Sequence, residues 1–149
     1  MDNMLNFDED KYDLNRFIRS QQCSFDTALK EIKNECKITH WMWYIFPQID
    51  GLGMSEMSRY YSIKFREELD AYMDNDYLRN NILKVSETLL TLQTNNAVLV
   101  FDIIDSLKLR SSMTLFAEAF PEYKVFQKVL DKFFDGQKDP LTLDYLRNF

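Results

Sequence analysis

Apolar residues recur along this chain mainly at helical spacing. Leu14, Phe17 and Ile18 share one face of a first helix running from about Glu9 or Asp10 to Ser20. Ser24 then reads as an N-cap. Phe25, Ala28, Leu29, Ile32 and Cys36 follow at i, i+3, i+4, i+7 and i+11, the stripe of a second amphipathic helix. From Trp41 to Phe46 the run is almost wholly apolar, so periodicity alone does not separate a helical turn from a buried strand. Thr39 as a cap and Pro47 as a stop predict a short helix there. Gln48 to Ser55 holds Gly51 and Gly53 and reads as a loop of unusual backbone conformation.

Tyr61, Phe65, Leu69 and Tyr72 predict a helix broken at Asp74-Asn75-Asp76, and Leu78, Ile82, Val85, Leu89 and Leu92 predict the next. Ala97 to Ile104 fits a short strand or a helix, and Asp105 is placed to cap a helix reaching Phe120, ahead of Pro121. Val125, Phe126, Val129, Leu130, Phe133 and Phe134 mark a further helix ended by Gly136. Asp139-Pro140 then opens a last one with a capping carboxylate and a proline at the first helical position. Three glycines and three prolines in 149 residues leave little for tight hairpins. With no repeat or linker to divide it, the chain is expected to be all-α, one compact multi-helix domain over residues 1–149. Its 46% apolar and 15% aromatic content suffices for one core.

The formal charge of −6 argues against a broad non-specific grip on nucleic acid or on an anionic membrane, both of which need clustered Lys and Arg. No apolar run approaches the roughly 20 residues that cross a bilayer. The acidic start MDNMLNFDEDKYD is unlike a signal peptide, so a cytoplasmic location is expected. Cys23 and Cys36 are read as buried or idle thiols. The sequence holds no HExxH, no EF-hand loop, no GxGxxG and no Walker loop, so no metal and no cofactor is expected; the oligomeric state stays open.

Two segments carry candidate chemistry. In the first, His40-Trp41-Met42-Trp43 leads through Phe46-Pro47-Gln48 to Gly51-Leu52-Gly53-Met54-Ser55. Its clustered rings beside the only His form either a plain core or an aromatic wall for a flat ligand, with Trp41, Trp43 and Gln48 as ligand contacts. His40 is either an acid/base group, its ordinary pKa lying near neutrality, or a hydrogen-bonded residue at a helix start. In the second, a helix from Asp105 puts Leu109, Met113, Phe116 and Phe120 on one apolar arc and Asp105, Lys108 and Ser112 along its border. Lys108, Arg110, Ser111 and Ser112 are candidates for a phosphate or ribose, although Lys108 and Arg110 lie about 200° apart on a regular helix. Asp105 is the candidate general acid/base or oxocarbenium stabiliser. The alternative for this stripe is a solvated face with a surface ion pair.

Asp13-Leu14-Asn15-Arg16-Phe17, Ala28-Leu29, the His40 to Ser55 segment, Tyr61, Ile63, the Asp105 to Phe116 block and the tail through Asp135-Gly136 resemble a widespread family of small helical proteins of unknown function. Some of its members carry the label calpastatin-like, which fits poorly, because calpastatin's inhibitory segments are disordered and this chain is rich in core residues. The resemblance implies a compact all-α fold. Asp102 stands where many members of that family have glycine, so a different turn ahead of Asp105 is expected. The order of an aromatic segment, a Tyr-bearing helix and a late Asp-x-x-Lys is similar to the NADAR group of helical proteins, with a departure at Lys108-Leu109, where that group has Trp-Gly. That similarity implies a nucleotide-like or ADP-ribose-related ligand and hydrolysis of an N-glycosidic bond; the rival expectation is a non-enzymatic interaction module with no small-molecule site.

Overall fold

The structure, a computed structural model, describes residues 10–149, and the regular elements among them are eight helices. They are α1 (Asn15–Lys33), α2 (Met42–Ile45), α3 (Glu56–Tyr61), α4 (Arg66–Asp74), α5 (Asp76–Leu90), α6 (Ala97–Ala119), α7 (Val125–Phe134) and α8 (Pro140–Arg147). One continuous cluster of buried apolar residues runs from Leu14 to Phe133. No helix of the described residues is long and apolar enough to cross a membrane.

Where the hydrophobic pattern suggests two helices up to Cys36, the chain forms a single helix, α1. The expected start at Glu9 lies outside the described residues, and Asp10 to Tyr12 form a turn whose Asp10 carboxylate accepts from Asn15 N–H (3.2 Å). Ser24 does not cap. Its hydroxyl accepts from Tyr44 Oη (2.8 Å), and Gln21, one turn earlier, is buried with its amide donating to the Tyr44 carbonyl (2.8 Å). Partners on α2 and α5 satisfy these polar residues inside the helix, so it has no reason to break there.

The predicted helix through Tyr61 and Phe65 is in fact two helices. Between α3 and α4 the backbone extends, and Ile63 pairs with the 48–50 segment, donating to the Gln48 carbonyl and accepting from Asp50 N–H (both 2.9 Å). Arg16 enforces this break. Its buried guanidinium bridges Glu68 and donates to the carbonyls of Tyr12, Asp13, Tyr60 and Ser62. Phe65, expected on the inner face, is exposed.

α6 is the central element, packed by α2, α7 and α8, with Leu109 and every residue from Ser111 to Ala117 buried. Its first five residues are set apart by Asp102, whose φ of 74° and ψ of 178° lie in a region that glycine occupies freely and other residues avoid. Asp102 also caps the longer segment, accepting from Asp105 N–H (2.9 Å), so the cap stands three residues before the expected one. The remaining boundaries follow the sequence pattern: Asn75 caps α5, Asp139 caps α8 ahead of Pro140, and α7 ends through left-handed Asp135 and Gly136. Lys132 of α7 donates to the carbonyls of Leu89, Leu90 and Leu92, satisfying the C-terminal end of α5.

Candidate functional site

The two motif segments meet where residues 37–43 cross the start of the long part of α6. Glu31, buried on α1, organises the crossing. One of its oxygens accepts from Ile38 N–H (2.8 Å), Thr39 N–H (3.0 Å) and the Trp41 indole (2.9 Å), and the other from the Thr39 hydroxyl (2.7 Å). Burial raises the pKa of this carboxyl, but the bonds from Ile38, Thr39 and Trp41 together outweigh it and hold Glu31 down at about 2. Thr39 therefore serves Glu31 and does not cap α2, whose N-cap position is Trp41 itself.

This clamp delivers Lys37 to α6. Its backbone N–H donates to the Val100 carbonyl (2.8 Å), and its ammonium group, nearly enclosed, meets the Thr39 carbonyl (2.6 Å) and Asp105 Oδ2 (2.9 Å). Asp105 Oδ1 lies 3.5 Å from Lys108 Nζ, one turn on. Each ammonium also lies 5.0 Å from the centre of an indole ring, Lys37 over Trp41 and Lys108 over Trp43. Two cations thus share the Asp105 carboxylate, and with ionised Glu31 at the same crossing the formal charges balance. Beside it, two buried polar atoms have no hydrogen-bond partner among the described residues, Trp43 Nε1 and Ser112 Oγ. Ser112 lies on the same helical stripe as Asp105 and Lys108.

The structure thus brings Trp41, Trp43, Asp105, Lys108 and Ser112 together, though not all as a groove. Trp41 is 1% exposed, with its ring against Phe46 and Phe101, so it is core. Ser112, expected at the border of the apolar arc, is fully buried because neighbouring helices pack α6 from several sides. His40 is exposed on the bend leading to Trp41, and Gln48 is half-buried, its carbonyl held by Ile63. Arg110 turns away. Its guanidinium donates to the carbonyls of Gln137 (2.9 Å) and Lys138 (2.8 Å), fastening the loop before α8. The buried Ser111 hydroxyl bonds back to the Leu107 carbonyl (3.1 Å). Cys23 and Cys36 are exposed free thiols, so the buried half of their expected reading does not hold.

The sequence pattern pointed to neither Glu31 nor Lys37. One signal was available: Glu31 lies three residues after Ala28 and beside Ile32, within the apolar stripe of α1, where an unpaired carboxylate is costly. Among the described residues no three of His, Cys, Asp and Glu gather as metal ligands. Two cavities lie elsewhere. One of about 430 Å³ sits between Arg66, Ala119 and Leu146, and one of about 380 Å³ lies beside Tyr12, Tyr60 and Phe65.

Compared with known proteins, residues 11–146 match the family described as "Protein of unknown function (DUF1810)". Among solved structures, the conserved hypothetical protein Rv1873 from Mycobacterium tuberculosis is similar over 89% of this chain and 95% of its own, at 34% identity and a TM-score of 0.86. No curated protein matches the chain.

Proposed function

The chain belongs to the DUF1810 family, and since that membership fixes a fold and leaves the activity open, we propose from the chemistry of the site that the protein binds an anionic, nucleotide-like ligand at Lys37, Trp43, Asp105, Lys108 and Ser112, in the cytoplasm. The observation that carries this reading is the pair of unpartnered buried atoms, Trp43 Nε1 and Ser112 Oγ, next to two lysines that share the one Asp105 carboxylate. An unmet buried N–H or hydroxyl costs about 1–3 kcal/mol, a penalty that a ligand oxygen accepting from both would remove. Lys108 is the more accessible of the two cations and the one laid over Trp43, so it is the group that moves to meet a phosphate.

The finer form of the reading, drawn from the likeness to the NADAR group, is hydrolysis of an N-glycosidic bond. Water would add to the anomeric carbon as the C–N bond breaks and release its proton to solvent, Asp105 would stabilise the oxocarbenium character at that carbon, and exposed His40 would give a proton to the departing nitrogen and regain one from solvent. A second reading, a non-enzymatic interaction module, has its own support: Trp41 is wholly enclosed among Phe46 and Phe101, so the aromatic segment serves as core.

Thermal shift with AMP, ADP, ADP-ribose and ribose 5-phosphate tests the proposal. A ligand at one hundred times its Kd adds about 2.7 kcal/mol, which raises the Tm of a chain this size by about 5–10 °C. Lys108→Ala should abolish the shift. If none of the four compounds shifts the wild-type protein, the ligand reading fails and the interaction module is favoured.

A further inference from the structure

Arg16 and Glu68 do more than break the chain between α3 and α4. Both are buried, and both line the cavity of about 380 Å³ beside Tyr12, Tyr60 and Phe65. The guanidinium holds the carbonyls of Tyr12 (2.6 Å) and Tyr60 (2.8 Å), and Glu68 accepts from the N–H of Lys64 (2.8 Å), the residue before Phe65. One buried ion pair thus sets the backbone under all three rings. Such a pair often adds little net stability compared with apolar residues of similar volume, so the geometry it imposes is the better account of its use here.

The rings are held but left partly open. Tyr60 is 49% and Phe65 56% exposed, and Tyr12 is half-buried. Tyr12 and Phe65 form one wall, their ring centres 6.4 Å apart, and Tyr60 lines the cavity braced edge-on against Tyr61 at 4.8 Å. A single exposed ring is ordinary, whereas three that converge on one cavity offer a surface for a ligand.

We propose that this cavity binds a small planar aromatic acid, its ring against those of Tyr12, Tyr60 and Phe65 and its carboxylate toward Lys11 and Lys64. The volume falls in the range of about 300–1,000 Å³ usual for small-molecule sites. Ring faces and edges favour a flat π-system over a saturated one. The lining charges choose the sign of the ligand: Arg16 and Glu68 cancel, leaving the ammonium groups of Lys11 and Lys64 against the Asp13 carboxylate. A cationic ligand would also compete with Lys11, whose ammonium lies 5.4 Å from the centre of the Tyr12 ring. Neither Lys108 nor Ser112 lines this cavity, so it is separate from the site proposed above.

Titration of the nitrogen-labelled full chain with benzoate, followed by amide chemical shifts, tests the proposal. Cyclohexanecarboxylate supplies the same charge without the flat ring, and benzamide the ring without the charge. Benzoate should give saturable shifts centred on Tyr12, Tyr60 and Lys64, with a Kd on the order of 1 mM. The other two compounds should each bind at least about threefold more weakly. Tyr60→Ala and Phe65→Ala should each weaken benzoate about three- to tenfold, and Lys11→Met about threefold, with melting unchanged because all three side chains are exposed. Leu107→Ala, which trims an exposed apolar residue of α6, should leave the affinity as it is. Shifts that do not saturate, equal binding of cyclohexanecarboxylate, or an affinity untouched by both ring removals would overturn the proposal.

Discussion

Replacing Glu31 by Gln tests whether the crossing of the two motifs is built on a carboxylate. Glu31 receives four hydrogen bonds from three residues, and its carboxyl lies at about 2 in the folded chain against an ordinary 4.5. A folded-state value below the unfolded one means that the unfolded chain binds the proton more readily. The resulting stability is present above pH 4.5 and is lost as the pH falls toward 2. A shift of this size is worth about 3 kcal/mol at neutral pH, of which roughly 2 kcal/mol has disappeared by pH 3. Gln keeps the shape and one acceptor but has no charge to lose. Urea unfolding at pH 7 should therefore place Glu31→Gln up to about 3 kcal/mol below the wild type, and at pH 3 the gap should narrow to roughly 1 kcal/mol. The comparison between the two proteins removes the contribution of every other carboxylate. A gap under about 0.5 kcal/mol at pH 7, or one that does not change between pH 7 and pH 3, would refute the reasoning.

Asp102 separates strain from capping: Asp102→Ala keeps the glycine-type backbone and loses the bond to Asp105 N–H, whereas Asp102→Gly loses the bond and relieves the strain. Chemical denaturation should find the Gly variant more stable than the Ala variant by at least about 1 kcal/mol, and equal stabilities would deny the strain. At Ser112 the hydroxyl is buried without a partner, so Ser112→Ala should melt at or above the wild-type temperature, while Leu109→Ala loses about 2–5 kcal/mol; a Ser112→Ala loss above about 1 kcal/mol would mean that the hydroxyl has a partner in solution. Lys108→Ala should cost under about 1 kcal/mol by the same melts, because Asp105 keeps Lys37 at 2.9 Å and no charge is stranded.

The helices legible in the sequence are those whose ends are set by local chemistry. Asn75, Asp139-Pro140 and Gly136 act within a few residues of themselves, and the structure has its boundaries there. The misread boundaries were decided from a distance. The helix start predicted at Ser24 disappears because Tyr44 and Asn81, far along the chain, satisfy the polar residues of α1. The helix predicted across Phe65 breaks because Arg16 collects carbonyls from a segment more than forty residues away. In the candidate site, Asp105, Lys108 and Trp43 were legible from ring clustering and helical spacing. Glu31 and Lys37 were not, because a carboxylate inside an apolar stripe gains its meaning only from the loop that folds back onto it.

Residues 97–114 carry the helical half of the proposed ligand site, on the helix at the centre of the fold. A helix that puts Ser112 inside without a partner gives up stability there. That loss is not compelled by the fold, since Ala fits where Ser112 stands. Asp102 adds strain in the same stretch. Local costs that cheap substitutions would remove tend to mark places selected for something other than stability. Ser112→Ala should therefore keep or raise the melting temperature while weakening the ligand-induced shift, whereas Leu109→Ala should lower the melting temperature through the core. A Ser112→Ala variant that melts as before and still shows the full ligand shift would put the ligand elsewhere.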